Sequence, residues 1–303
     1  MRSQTKKSRV RNTAISALCV LLLAACGDSP ESMISSAKEY MAKNDRAAAS
    51  IQLKNALQKN PSLAEARFLL GKVNYKQGDY AGAEKELSRA LDGGFPPDQV
   101  VPLLAQSMLA SGQGQRIITE LAGKELTQPE AKASLLTSKG FAELQQGKRI
   151  PAQEDFKAAV QASAGFPLAR VGLARMRALD RDIDGALTEV EEVLKASPKL
   201  AEAHSLRGDI LLARNRIDEA ITAYEGVIEA KPTEISAHQS VISLLIRTNK
   251  LEAAQAKVVA LRKAVGNHPL AIYMQAFLDV KNGKSKEAYE GIQQVLRAAP
   301  DYV

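Results

Sequence analysis

One thiol stands where a nucleophile could act. Cys26 follows Leu23-Ala24-Ala25, and its thiolate form is the most nucleophilic side chain the sequence offers. The only other cysteine, Cys19, lies inside an apolar run upstream. Once that run is removed a single Cys remains, so no disulfide can form within the chain and the fold must rest on packing. The three histidines offer little more. His204 and His238 lie 34 residues apart, but a metal would need further ligands, and no Cys or acidic cluster converges on them. They read as packing residues, and His268 as a loop residue before Pro269. There is no Gly-rich phosphate loop, no motif-supported Ser/His/Asp arrangement and no zinc spacing. These absences lead us to expect a non-enzymatic chain that needs no cofactor or metal.

Cys26 is positioned by the segment before it. Arg2, Lys6, Lys7, Arg9 and Arg11 form a basic start, and an apolar run from Thr13 to Ala25 follows. A membrane-spanning helix needs ~20 residues, so this shorter run suits the apolar region of a signal peptide, residues 1–25. Together with Leu23-Ala24-Ala25-Cys26 it resembles a bacterial lipobox. The resemblance implies cleavage before Cys26, acylation there, and a firm lipid anchor, since two or more acyl chains hold where one is marginal. Gly27 rather than Asp comes next, which by the same resemblance favours the outer membrane over the inner, facing the periplasm. Residues 26–29 then form only a short tether.

The formal charge of +7 belongs mostly to that leader. Without residues 1–25, 36 basic residues face 34 acidic ones, a net +2. Aromatics are 4% and Trp is absent. A nucleic-acid partner would call for a basic face interleaved with aromatics, and none is evident. At 303 residues and 45% hydrophobic content, the chain can bury a continuous core.

The rest is one unit copied at a 34-residue period, with a single step of 35. Eight units start at Pro30, Ala64, Asp98, Ala133, Pro167, Ala201, Ile235 and Pro269. Each has a first helix (helix A) with a small residue: Ala37, Gly71, Ala105, Gly140, Ala174, Gly208, then Ile242 and Ala276. A turn follows at Asn44, Gly78, Gly112, Gly147, Arg181, Asn215, Asn249 and Gly283. A second helix (helix B) opens on Ala49, Ala83, Ile117, Ala152, Ala186, Ala220, Ala254 and Ala288. Apolar stripes at helical spacing and closing prolines at 198, 232 and 300 complete the pattern. Two such helices cannot bury both stripes alone, so neighbouring units must stack. The third unit, with Ile117, and the seventh, with Ile242, depart from the pattern. Thr127-Gln128-Pro129-Glu130 reads as an N-cap opening the fourth unit. No Gly/Ser-rich linker interrupts residues 30–303, which predicts one array. No polar capping helix closes it, so the array is expected to continue or to be covered by a partner.

Leu69–Leu91 and Leu206–Ile228 carry these features best, and they resemble tetratricopeptide repeats. The resemblance implies an all-α solenoid, a right-handed superhelix of about eight helix-turn-helix repeats. Residues 26–109 are, more narrowly, similar to the start of the tetratricopeptide lipoproteins of the PEP-CTERM/exosortase system, through Cys26, Ala49–Pro61, Ala64-Glu65-Ala66-Arg67 and Phe95-Pro96-Pro97-Asp98. That implies a periplasm-facing scaffold for protein–protein interaction in protein sorting and exopolysaccharide production. Two alternatives stay open: an assembly factor of a polysaccharide exporter unrelated to exosortase, or the repeat region of a larger enzyme with its catalytic domain beyond Val303.

In such arrays helix A lines the inner groove. Its ninth slot reads Lys38, Lys72, Gln106, Phe141, Arg175, Asp209, Ser243 and Phe277, and Tyr75 is added from the twelfth slot. The expected partner-binding groove is Lys38, Lys72, Tyr75, Gln106, Phe141 and Arg175. The cations would attract an acidic or carboxylate-bearing segment and the aromatics would supply contact area. Asn is missing from the sixth and ninth slots, so the carboxylate clamp of chaperone-binding relatives is not expected.

Overall fold

A computed structural model describes residues 29–299. Cys26 and the signal segment lie outside the described residues. Among the described residues all regular structure is helical, and it forms two compact units that meet in sequence at Leu126 and Thr127. The first holds α1 (Pro30–Ala42), α2 (Arg46–Lys59), α3 (Ala64–Gln77), α4 (Tyr80–Asp92), α5 (Pro97–Ala110) and α6 (Gly114–Arg116), which runs into a π-helical turn at Ile117–Leu121. The second holds α7 (Pro129–Gln145), α8 (Arg149–Ala162), α9 (Pro167–Leu179), α10 (Ile183–Ala196), α11 (Ala201–Ala213), α12 (Ile217–Ala230), α13 (Ile235–Arg247), α14 (Leu251–Val265), α15 (Pro269–Lys281) and α16 (Ser285–Ala298). Odd-numbered helices are helices A and even-numbered ones helices B, three hairpins in the first unit and five in the second.

The turn slot has a backbone cause. All eight of its residues take positive φ, from 58° at Asn44 to 82° at Gly78. This left-handed residue ends helix A and frees the next residue to cap helix B. At the second repeat Gly78 N–H donates to Tyr75 O and Asp79 N–H to Asn74 O, and the Asp79 carboxylate then accepts from Gly82 N–H at 2.9 Å. Asp45 and Asp182 repeat that cap. Arg181, at φ 67°, is the one turn residue that is neither Gly nor Asn.

The small slot is where the two helices of a hairpin cross. A Cβ placed on Gly71, Gly140 or Gly208 would stand 2.6, 2.8 or 2.7 Å from Leu87, Phe156 or Tyr224. Each missing side chain admits a large one sixteen residues later. Ile242 reverses the sizes: it is fully buried, and the residue sixteen on is the smaller Val258 in the same cluster. Stacking then uses a second set of slots. Ala203, Leu206 and Ile210 of α11 pack on Ala186, Val190 and Val193 of α10 in the preceding hairpin.

Two features differ from the sequence reading. The third helix B is cut to one short turn and a π turn, with Ile117 buried in the alanine slot. Helix α7 starts at Pro129, four residues before the expected Ala133, and Gln128 rather than Thr127 holds the cap position, with no side-chain bond to the helix's first turn. Proline at the first helical position explains that start, because its missing N–H would be unpaired there anyway.

Candidate functional site

The first unit contains four of the expected groove residues. Lys38 Nζ meets the Glu65 carboxylate at 2.6 Å, both half-exposed, so its charge is spent inside the protein in a pair worth ~0–1 kcal/mol. Lys72 Nζ lies 5.4 Å from the centre of the buried Phe68 ring, which stacks on Phe95 at 4.6 Å. Tyr75 is half-buried and meets Tyr80 edge-on at 5.4 Å, a contact within its own hairpin. Gln106 is also half-buried.

Around Lys72 the fold adds what the sequence reading missed. Met41, Asn44, Arg46, Lys72, Val73 and Lys76 line a recess of ≈ 350 Å³ between the first two hairpins. Arg46 Nη1 donates to Lys76 O at 3.2 Å, fixing the guanidinium at the rim. Among the described residues neither Lys72, Lys76 nor Arg46 pairs with a carboxylate. The recess therefore has an apolar floor, Met41 and Val73, and three cations without counter-ions. The signal for Arg46 was weak. The first residue of helix B is Tyr80, Ile183, Ile217 or Leu251 in four other repeats, each half-buried, but it is a cation again at Arg149.

In the second unit Phe141 is half-buried and meets Phe156 edge-on at 4.9 Å, so most of its ring serves the core. Arg175 lies 4.0 Å from Asp209. Asp209 also accepts from Tyr224 OH at 2.7 Å; burial, and then that bond, push the Tyr224 hydroxyl well above the usual phenol range.

The fourth hairpin buries a charged trio. Lys139 Nζ sits 3.0 Å from Asp155 Oδ1 and 3.5 Å from Glu143. Glu143 is 4% exposed, and its Oε2 has no hydrogen-bond partner. Burial first, and then the neighbouring Asp155 carboxyl, push Glu143 up to about 7. A lysine with two carboxylates is not a metal set, and among the described residues no group of three His, Cys, Asp or Glu could hold one.

His204 and His238 serve as clips. Each Nε2 lies 2.8 or 2.9 Å from the carbonyl of a proline six residues earlier, Pro198 or Pro232. The carbonyl can only accept, so Nε2 carries the proton and the unpartnered, buried Nδ1 does not. Arg67 makes the equivalent bond to Pro61 O.

Stacked helical hairpins at a fixed period define the class as a helical-repeat solenoid. Two family profiles say which repeat it is. A tetratricopeptide repeat-like domain matches residues 115–253, and a tetratricopeptide repeat matches residues 35–98. The chain is built of tetratricopeptide repeats, units that generally hold protein or peptide partners. Among solved structures, the human IFIT1 dimer with m7Gppp-AAAA has a TM-score of 0.55 at 14% identity, over 95% of this chain and 77% of that one. The human IFIT1 dimer with PPP-AAAA gives 0.54 at 15%, over 95% and 78%. A tetratricopeptide repeat protein from Parabacteroides merdae gives 0.42 at 14%, over 91% and 95%. At these identities the likeness is one of fold. No curated protein matches the chain.

Proposed function

We propose that this chain is a non-enzymatic scaffold that holds an acidic segment of a partner protein at its first two repeats. We further propose that it works as a lipoprotein anchored through Cys26 on the periplasmic side, in the outer membrane rather than the inner, within PEP-CTERM/exosortase protein sorting and exopolysaccharide production. The observation that carries the binding reading is the recess where Arg46, Lys72 and Lys76 meet over Met41 and Val73 without a carboxylate. Cations at a rim draw an acidic segment in and select it, while the apolar floor gives contact area. The compartment rests on the lipobox resemblance, and the pathway on the resemblance of residues 26–109.

A fluorescent oligo-glutamate peptide followed by anisotropy tests the site. Lys72→Glu with Lys76→Glu is expected to weaken binding by about tenfold or more and to flatten its salt dependence. Equal binding by the variant, with an intact helical spectrum, removes the recess from consideration. For the anchor, Cys26→Ser is expected to shift the protein from the membrane to the soluble periplasmic fraction. A variant that stays membrane-bound refutes it.

A further inference from the structure

The last hairpin exposes slots that its predecessors cover. Val280 of α15 is 59% exposed, whereas Ile246, one repeat earlier in the same slot, is 7%. Tyr289 of α16 is 66% exposed, against 7% for Ile221 two repeats earlier, and Leu296 is 36% exposed, against 8% for Leu57 in the first repeat. In the interior these slots lie beneath the next helix A. On α16 they border a recess of ≈ 530 Å³ lined by Tyr289, Glu290, Gln293, Gln294, Arg297 and Ala298. Glu290 and Arg297 make no ion pair among the described residues.

The lining set is symmetric about the midpoint between Gln293 and Gln294. Running the same helix antiparallel to itself through that point sets Tyr289 opposite Ala298, Glu290 opposite Arg297, and Gln293 opposite Gln294. Each pair is complementary: an aromatic ring with a small residue, an acid with a base, an amide with an amide. A two-fold axis forms every pair twice, which is what a closed isologous interface requires. Head-to-tail stacking of copies is disfavoured by the other end of the repeat series. The slots of α1 that would receive a preceding helix B are Ser32, Ser35 and Glu39, all exposed, where later repeats carry residues such as Ala203, Leu206 and Ile210.

We propose that α16 is a self-association surface, and that two copies of this chain pair through it antiparallel, with Glu290 of each against Arg297 of the other. The test is sedimentation velocity on the full chain carrying Cys26→Ser, so that acyl chains add nothing. The chain is expected to dimerise at micromolar concentration. Glu290→Arg alone or Arg297→Glu alone sets like charges together twice and is expected to weaken the dimer by about tenfold or more. The double variant Glu290→Arg/Arg297→Glu restores it, and mixing the two single variants yields a heterodimer. Three results would overturn the proposal: a chain that stays monomeric throughout, as when a further repeat or another protein covers this face; single variants that dimerise as well as the parent; or a double variant that does not recover. Glu290 and Arg297 are both exposed, and an unchanged helical spectrum confirms that folding is not what is being read.

Discussion

The first and last hairpins are the same object with opposite outer faces. Both pair a helix A with a helix B across a small residue, Ala37 in one and Ala276 in the other. The first turns Ser32, Ser35 and Glu39 outward, and the last turns out Val280, Tyr289 and Leu296. A repeat is held by its neighbours, so an end must either tolerate water or find a cover. The outer face of the first hairpin is polar by side-chain type alone. That of the last is not, and its apolar slots are those that interior repeats use for stacking. Within the second unit, Ile242 breaks the pattern and is held by packing in one core cluster.

The strongest way to break the comparison is to make the first face resemble the interior. Ser32→Leu, Ser35→Leu and Glu39→Ile together give α1 the small-or-apolar pattern of α11. The two ends then become complementary and non-closing, and concentration-dependent, open-ended association is expected in light scattering. A variant that remains as soluble and as small as the parent would show that the α1 face is not a stacking surface.

A second test concerns the interior, where Glu143 is buried beside Asp155. Its folded pKa of about 7 lies above its ordinary 4.5, so between those values the folded state binds the proton that the unfolded state has lost. The sign follows: this group's contribution is full below about pH 4.5 and is lost as pH rises through 7. Glu143→Gln removes that slope. Its melting temperature relative to the parent is expected to be several degrees more favourable at pH 8 than at pH 5. The same difference at both values would mean that Glu143 ionises normally.

The smallest expected effect sharpens the rule for the turn slot. Arg181 holds φ 67° where its equivalents are Gly or Asn, and a side chain in that region costs about 1 kcal/mol. Arg181→Gly relieves the strain but frees the unfolded chain, so a net gain of roughly 0.5 kcal/mol is expected in urea unfolding. Destabilisation would instead assign the Arg181 side chain a packing role.

The turn slot was the most legible part of the chain, since Gly and Asn at a fixed period name the positions that must go left-handed. The small slot was nearly as clear, because Gly71, Gly140 and Gly208 each precede a large residue by sixteen. Ile242 looked like a fault in the pattern, and only its place opposite Val258 in one core cluster explains it. The row Lys38, Lys72, Gln106, Phe141 and Arg175 is real as a register, yet register says nothing about pairing. Lys38 is tied to Glu65 and Arg175 lies near Asp209, while Lys72 gains Arg46 and Lys76 from positions outside the row. Attention to helix A alone hid Arg46, which opens helix B.

The sequence by itself determined the hairpin, its period, its turns and its caps, because each depends on a few adjacent residues: a positive φ, an Asp after it, a proline at a first turn. It also determined which helix faces are apolar. Only the tertiary structure decided which charges cancel, which carboxyl is driven towards neutrality, and which apolar slots lack a neighbour. Those outcomes turn on groups from twelve residues apart, as Glu143 and Asp155, to about thirty, as Arg46 and Lys76, yet close in space. Desolvation and pairing act across that short distance, and no spacing along the chain encodes them.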